Sequence, residues 1–310
     1  MDSIKNVLVT GAAGFIGSYL IPELVKDGCR VIATDLAPQP ENLKSLSPQV
    51  EYIRADMGSE SDIYRLMTST KPTHVIHLVS LLAGPCDANP GLGFKINFNS
   101  TLTMLDAGMV IGLQRFIMTS SISIFGRGLP EPVANDAKTD PATIYGQTKL
   151  ACEHLLTWYR QRRGLSTGAV RFPWVFGPGR ETGITALYSS KLLDAVARGE
   201  ALTIDNPEEK GDWLYVRDAV KALKLMLDTT DHPQTAYNIM GGLYTVRDVM
   251  EIAKNIRPDA RIEYIEGQAA QSPYPSAYDD SQARADLGWQ PDYTIEASVR
   301  EHIETVSSMP

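Results

Sequence analysis

Short apolar segments alternate with longer stretches of helical periodicity through the first half of the chain. Segments such as Val7-Leu8-Val9 are continuously apolar, as expected for strands of a parallel sheet covered on both faces. The repeated order of strand, helix and strand predicts an α/β fold with a doubly wound parallel sheet. The predicted strands are Val7–Thr10, Arg30–Thr34, Glu51–Arg54, His74–Leu78, Arg115–Thr119 and Gly168–Phe172, and the predicted helices are Phe15–Lys26, Ser61–Ser69, Phe94–Ile111 and Ala142–Arg162.

The pattern changes after residue 172. Prolines and glycines cluster over residues 172–183, and the later apolar segments are short and irregularly spaced. We therefore expect residues 1–172 to form the main domain and residues 173–310 a smaller, C-terminal substrate-binding region packed on it. Within that region, residues 212–228 have the pattern of a strand running into a helix. Part of it, about 212–240, is expected to return to the main sheet.

A glycine motif, G-x-x-G-x-x-G, follows the first predicted strand and opens the first predicted helix. Gly11 allows a tight turn, Gly14 lets the backbone approach a pyrophosphate, and Gly17 allows close packing of helix on strand. The helix N-terminus would present free N–H groups and a positive dipole end to the phosphates. The motif and its context predict a Rossmann domain that binds a dinucleotide.

The second predicted strand ends next to an acidic residue that indicates which dinucleotide binds. Asp35 lies where a carboxylate would bind the adenosine ribose hydroxyls, and residues 36–40 contain no Arg or Lys to receive a 2′-phosphate. NAD is therefore favoured over NADP. Asp56, after the third strand, is a candidate for the adenine edge, and a helix-capping or loop aspartate is an equal alternative.

A tyrosine and a lysine on one helix supply candidate acid–base chemistry. Tyr145 and Lys149 are four residues apart and share a helix face, and Asp140 and Pro141 mark the expected start of that helix. A lysine ammonium and a cationic nicotinamide ring would lower the pKa of the tyrosine. Tyr145 could then take a proton from a substrate hydroxyl as hydride leaves for NAD. A hydroxyl of Thr119-Ser120-Ser121, at the end of the fifth strand, could hold the substrate oxygen.

With these elements in place, the chain resembles the extended short-chain dehydrogenase/reductase family, also called the NAD-dependent epimerase/dehydratase family. The resemblance covers nearly the whole chain. Residues 120–126 (SSISIFG) match S-S-x-x-V-Y-G, residues 77–79 (HLV) match H-L-A, residues 97–101 (NFNST) match N-x-x-G-T, and residues 286–291 (DLGWQP) look like L-G-W-x-P.

The resemblance assigns roles to individual residues and implies a homodimer. Ser121, Tyr145 and Lys149 fall at the catalytic positions. The helices Phe94–Ile111 and Ala142–Arg162 would pair with a partner in a four-helix bundle. The expected cofactor contacts are Gly11, Gly14, Phe15, Ile16, Gly17, Asp35, Asp56, Met57, Leu78, Val79, Asn97, Tyr145, Lys149 and Pro173, and the expected substrate contacts are Ser80, Ser121, Ser123, Trp174 and Arg180.

Departures from the family pattern bear on the substrate. Trp174 replaces the asparagine of R-x-x-N-V-Y-G-P, and Gly211 replaces the arginine before D-[FW]-[IL]-Y-V, so two diphosphate contacts of nucleotide-sugar members are missing. Ser121-Ile122-Ser123 stands where dehydratases carry T-D-E, so the carboxylates for water elimination are absent. The chain looks closer to members that oxidise small free substrates. Arg180 is a candidate partner for a substrate carboxylate, with a solvated surface arginine as the alternative.

Three functions remain open at this stage. The first is an NAD-dependent dehydrogenase that oxidises a secondary hydroxyl of a hydroxy acid, sugar acid, sugar or amino-alcohol. The second is a nucleotide-sugar 4-epimerase, which returns the hydride and releases no NADH. The third is a non-catalytic dinucleotide sensor, which has no need of Ser121, Tyr145 and Lys149 together. The missing diphosphate contacts favour the first.

Composition narrows the partners and the location. A net charge of −8 argues against non-specific nucleic-acid binding. The five histidines show no metal-binding spacing, and the cysteines at 29, 86 and 152 are too dispersed for a metal site or a disulfide framework. We recognise no secretory signal, and no apolar run approaches the ~18 residues of a membrane span. We therefore expect a cytoplasmic enzyme that binds a small molecule, without metal, membrane or nucleic acid.

Overall fold

The computed structural model describes residues 4–265 and 274–309. Its strands are β1 (Asn6–Thr10), β2 (Arg30–Asp35), β3 (Val50–Arg54), β4 (His74–His77), β5 (Arg115–Ser121), β6 (Ser166–Phe172), β7 (Trp174–Phe176), β8 (Leu202–Ile204), β9 (Lys210–Tyr215), β10 (Ala236–Asn238), β11 (Leu243–Thr245) and β12 (Ile262–Tyr264). Its α-helices are α1 (Phe15–Lys26), α2 (Glu41–Lys44), α3 (Glu60–Thr70), α4 (Ala83–Ala88), α5 (Pro90–Gly93), α6 (Ser100–Ile111), α7 (Ile144–Arg163), α8 (Leu192–Arg198), α9 (Val216–Asp228), α10 (Val246–Ile256), α11 (Ser281–Leu287) and α12 (Ile295–Ser307).

A parallel seven-stranded sheet forms the centre of the molecule, in the order β10-β6-β5-β4-β1-β2-β3. The predicted α/β Rossmann class is confirmed, and each of the six predicted strands is present with boundaries within two residues. The predicted helix 94–111 consists of a π-helical segment, Phe94–Asn99, that continues directly into α6. The chain reverses its direction of travel across the sheet at β1, which lies between β2 and β4. Ligands of doubly wound sheets bind in the crevice at such a point.

Two hydrophobic cores cover the two faces of the sheet. Val7 and Val9 belong to one core and Leu8 to the other, because successive side chains of a strand point to opposite faces. The first core includes Leu20 of α1 and Leu223 of α9. This two-sided burial explains why the strands are continuously apolar.

The C-terminal half adds a second sheet, in the order β11-β9-β7. The strand expected to begin a return to the main sheet, Lys210–Tyr215, instead pairs with β7 and β11 in this smaller sheet. The helix that follows it, α9, packs on β6, and β10 then joins the main sheet beside β6. Pro173 separates β6 from β7, so the chain leaves the main sheet there. Within the described residues, no helix is long and apolar enough to cross a membrane.

Candidate active site

The glycine motif forms a tight turn between β1 and α1. Gly11 has φ +69°, a left-handed conformation that favours glycine. A Cβ atom at Gly17 would lie 2.5 Å from the Gly11 carbonyl oxygen, so only glycine permits this approach of helix to turn. Helix α1 begins at Phe15 with Gly14 as its N-cap, and no side chain caps its first turn. Its N-terminal N–H groups are therefore available to an anion.

Asp35, the last residue of β2, lies beside this turn. The Asp35 carboxylate accepts hydrogen bonds from the backbone N–H of Ala13 at 3.1 Å and from that of Ala37 at 3.0 Å. Asp56 closes its own turn by accepting from the Gly58 N–H at 2.7 Å, and the neighbouring Met57 side chain is buried in the second core. The structure thus brings Asp35 to the glycine turn, while the Asp56 carboxylate has a local structural role.

The segment after β4 lies against the glycine turn. A Cβ atom at Gly11 would be 3.1 Å from the Val79 nitrogen and 3.2 Å from the Leu78 carbonyl carbon. Asn97 is buried below this segment. Its amide oxygen accepts from the Leu81 N–H at 2.7 Å, and its amide nitrogen donates to the Thr148 hydroxyl at 3.0 Å. Asn97 therefore connects the segment after β4 to α7.

Another expected site residue of that segment, Ser80, is partly buried. Its hydroxyl donates to the Leu81 carbonyl oxygen at 3.2 Å.

Helix α7 carries the Tyr–Lys pair, and its start differs from the prediction. It begins at Ile144, and the Thr143 hydroxyl caps it by accepting from the Gly146 N–H at 3.1 Å. The prediction that Asp140 caps the helix and that Pro141 lies in its first turn is wrong. The backbone N–H of Asp140 donates instead to the Ile124 carbonyl, which holds the residue against the loop after β5.

Close packing brings α7 to the end of β5. A Cβ atom at Gly146 would lie 2.2 Å from the Ser123 carbonyl oxygen, so glycine is required at this contact. The adjacent Tyr145 hydroxyl interacts by a hydrogen bond with Ser121. The Ser121 hydroxyl also donates to the Ser123 hydroxyl at 3.0 Å and accepts from its backbone N–H at 3.1 Å. The structure therefore brings together the predicted Ser121, Ser123 and Tyr145.

Burial dominates the electrostatics of the pair. It raises the pKa of the Tyr145 hydroxyl to about 12, against the opposing effects of the Ser121 hydrogen bond and the Arg180 charge. Burial also lowers the pKa of Lys149 to about 8. The Lys149 ammonium donates to the Thr119 carbonyl at 2.9 Å and lies 5.7 Å from the centre of the Tyr145 ring. The protein's own groups therefore do not produce the expected lowering of the tyrosine pKa.

A buried charged network, which the sequence analysis missed, supports this arrangement. Glu153 and Arg171 form an ion pair at 2.8 Å, and the Ser120 hydroxyl donates to the same carboxylate at 2.5 Å. Glu153 follows Tyr145 and Lys149 at the same four-residue interval, which was the available signal. The network joins α7 to β5 and β6 around the catalytic candidates.

Arg180 lies in the loop after β7, is partly buried and donates hydrogen bonds to neutral partners. Its guanidinium donates to the Val175 carbonyl, to the Thr185 hydroxyl at 2.8 Å and to the Ser189 hydroxyl at 3.5 Å. Burial lowers its pKa to about 10, and the nearby Tyr145 raises it. Over the described residues, no carboxylate forms an ion pair with Arg180.

Pro173 and Trp174 connect the main sheet to the small one. The Pro173 carbonyl accepts from the Val175 N–H at 3.0 Å. Trp174 is partly buried, and its ring meets that of Trp213 edge-on at 5.8 Å between centres. Phe15 and Ile16, in the first turn of α1, pack on the same core as these rings.

The chain belongs to the NAD dependent epimerase/dehydratase family, whose model matches residues 7–239. It is therefore an NAD-dependent enzyme with a Rossmann fold, as the glycine motif and Asp35 predicted. Among curated proteins, it is 26% identical over 314 aligned positions to an uncharacterized epimerase/dehydratase of Staphylococcus saprophyticus, covering 98% of this chain and 97% of the relative.

Solved structures of two activities are similar to the chain. L-threonine 3-dehydrogenase of Trypanosoma brucei has a TM-score of 0.87 and 26% identity, covering 98% of this chain and 97% of that one. UDP-glucose 4-epimerase of Thermotoga maritima, solved with UDP-glucose, has a TM-score of 0.85 and 26% identity, covering 96% and 97%. The UDP-glucose 4-epimerase of Thermus thermophilus, solved with NAD, has a TM-score of 0.85 and 25% identity, covering 98% and 99%.

Proposed function

We propose that the protein is an NAD-dependent dehydrogenase that oxidises the secondary hydroxyl of a small free hydroxy acid. The observation that carries the proposal is Arg180. It is a partly buried, desolvated guanidinium near Tyr145, and no described carboxylate neutralises it. A buried cation is costly unless it is paired, and arginine binds planar carboxylates with two parallel hydrogen bonds. A substrate carboxylate would supply that partner next to the catalytic tyrosine.

Each residue of the site has a proposed role in this reaction. The glycine turn, the N-terminus of α1 and Asp35 would hold the dinucleotide. Bound NAD supplies the hydride acceptor and a positive charge. The Tyr145 oxygen takes the proton of the substrate hydroxyl while Ser121 holds the substrate oxygen in line. Lys149, fixed at the Thr119 carbonyl, favours the phenolate by its charge. Arg180 orients the substrate by its carboxylate.

A nucleotide-sugar 4-epimerase is the second candidate, supported by the similarity to the UDP-glucose 4-epimerases. Trp174 and Gly211 stand against it, because they offer a diphosphate one indole N–H at most and no charged side chain. The similarity to L-threonine 3-dehydrogenase, whose named substrate is a small free hydroxy amino acid with a carboxylate, favours the dehydrogenase. A non-catalytic sensor does not explain why α7 and the end of β5 hold Ser121, Tyr145 and Lys149 together.

Absorbance of reduced nicotinamide tests the proposal. The protein is incubated with NAD and with hydroxy acids, their uncharged amides, sugars and nucleotide sugars. We expect stoichiometric NADH from a hydroxy acid. Arg180→Ala should raise the KM for the acid by about 30-fold, the typical loss of one charged hydrogen-bonded contact, and leave the KM for the amide unchanged. Tyr145→Phe should remove turnover in both cases.

Two results would overturn the proposal. Conversion of a nucleotide sugar without net NADH, with no oxidation of any hydroxy acid, would identify the epimerase. Full turnover by Tyr145→Phe would exclude the tyrosine as the base and restore the sensor as a candidate.

A further inference from the structure

Trp174 and Gly211 are in direct contact, and the Trp174 indole leaves no room for a side chain at position 211. A Cβ atom built on Gly211 would lie 2.7 Å from Cε2 and 2.8 Å from both Cδ2 and Cζ2 of the Trp174 indole. Approaches this short do not occur between real side chains, so the indole occupies the space that any side chain at position 211 would need. The two departures from the family pattern are therefore one structural unit.

A second contact, with Trp213, also holds the Trp174 indole in place. In β9, Trp213 pairs in register with Trp174, and its ring meets the Trp174 ring edge-on at an interplanar angle of 60°. The indole nitrogen of Trp213 donates to the Tyr244 carbonyl at 3.1 Å, which anchors that ring in the small sheet. Trp174 is therefore held between the Gly211 backbone and an anchored aromatic ring.

This unit lies close to the reacting groups. Ser121 is paired in register with Phe172, the last residue of β6, and Trp174 begins β7 two residues later. Arg180 follows six residues later and donates to the Val175 carbonyl, next to Trp174. The guanidinium whose charge acts on Tyr145 therefore lies against the backbone of β7, one residue from Trp174.

The groups at positions 174 and 211 suit a small substrate. Gly211 offers no side chain, and the next residue, Asp212, carries a buried carboxyl group. A diphosphate needs cations or several N–H donors, whereas the Trp174 indole carries a single N–H and Gly211 has no side chain. Lys210, one residue before Gly211, is exposed at the start of β9.

We infer that Trp174, seated on Gly211, forms a wall that sets the maximum size of the substrate and excludes molecules with a large substituent beyond the reacting hydroxyl. This inference rests on the proposed oxidation of a hydroxy acid. Its two residues act on substrate size, whereas Arg180 acts on substrate charge, so the two proposals can be tested separately.

The test uses 3-hydroxy acids of four, six and eight carbons. Binding is measured by calorimetry to the NAD-loaded Tyr145→Phe protein, so that it does not depend on turnover, and oxidation is measured with Tyr145 intact. We expect affinity to fall sharply with chain length. Trp174→Ala should improve binding of the eight-carbon acid relative to the four-carbon acid by about tenfold or more, since further methylene groups become buried. Trp174→Phe should give an intermediate gain, and Lys210→Ala should leave the length dependence unchanged.

A double-mutant cycle tests the contact itself. Gly211→Ala should lower the melting temperature and the affinity for the four-carbon acid, because it displaces the indole. The loss of melting temperature should be smaller when Trp174→Ala is also present. The proposed role of Trp174 would be refuted if the effects of the two substitutions on melting temperature were additive. It would also be refuted if both Trp174 variants kept the wild-type dependence of affinity on chain length. Binding with the expected length dependence but without NADH would overturn only the proposed oxidation, and no binding of any acid would overturn both.

Discussion

Asp212 is a carboxyl group in β9 that is buried with an incomplete set of hydrogen-bond partners. One oxygen accepts from the Gly241 N–H at 2.9 Å, and the other has no hydrogen-bond partner in the part of the chain that the structure describes. Burial raises the pKa of Asp212 to about 8, with a further contribution from the charge of Asp280. We therefore expect this carboxyl group to stay protonated in the folded protein at neutral pH and folding stability to depend on pH through this residue.

The sign of the effect follows from proton linkage. Below the unfolded-state pKa near 3.8, the carboxyl group is protonated in both states and has no effect. Between that value and about 8, the unfolded chain releases the proton and the folded protein retains it. The free energy of unfolding then falls by about 1.4 kcal/mol per pH unit, or about 3 kcal/mol between pH 5 and pH 7. Above pH 8 both states are ionised and the loss is constant.

Asp212→Asn removes the titration while keeping the oxygen that accepts from Gly241. Between pH 5 and pH 7, we expect the unfolding free energy of the wild type to fall by about 3 kcal/mol relative to that of the variant. The measurement is urea unfolding followed by tryptophan fluorescence. Asp136→Asn, at an exposed carboxylate, should follow the wild type at every pH. If the Asp212→Asn and wild-type profiles are parallel, the carboxyl group is ionised in the folded protein and the reasoning is refuted.

Two further predictions concern the catalytic lysine and the oligomeric state. Lys149→Met should lower kcat by about 100-fold and move the remaining activity to higher pH, because the charge that favours the phenolate is lost. The measurement is the pH–rate profile, and Lys138→Met, at an exposed lysine, is the control. Trp158→Glu should convert the proposed dimer into a monomer in sedimentation velocity at micromolar concentration, because this exposed ring of α7 would lie in the four-helix bundle. Ile4→Glu, at another exposed apolar residue, should leave the sedimentation coefficient unchanged, and a monomeric wild type would contradict the bundle.

Much of the Rossmann half could be predicted because local patterns determine it. The strands were identified from continuous apolar segments, since burial on both faces leaves no polar position. The glycine turn was identified from spacing, and its steric basis is the 2.5 Å approach at Gly17. The start of α7 could not be found in this way. Asp140 is as suitable a cap as Thr143, and only its bond to the distant Ile124 carbonyl decides between them.

The substrate side was harder to predict because its contacts join residues that are distant in the chain. Trp174 and Gly211 were each recognised as departures from the family pattern, but their mutual dependence appears only in the packing of β7 beside β9. The pKa of Tyr145 was hard to predict for the same reason. The sequence identified the favourable charge of Lys149, whereas the larger effect of burial depends on the surrounding structure.

The Glu153 network has a consequence for how such an enzyme can change over evolution. One carboxylate joins the helix that carries the base to two strands of the main sheet, through Ser120 and Arg171. The wall of Trp174 belongs to a different sheet and shares none of these bonds. We therefore expect mutations of Trp174 to change the accepted substrate size while the Glu153 network stays intact. Reaction chemistry and substrate choice are thus free to diverge independently in descendants of this chain.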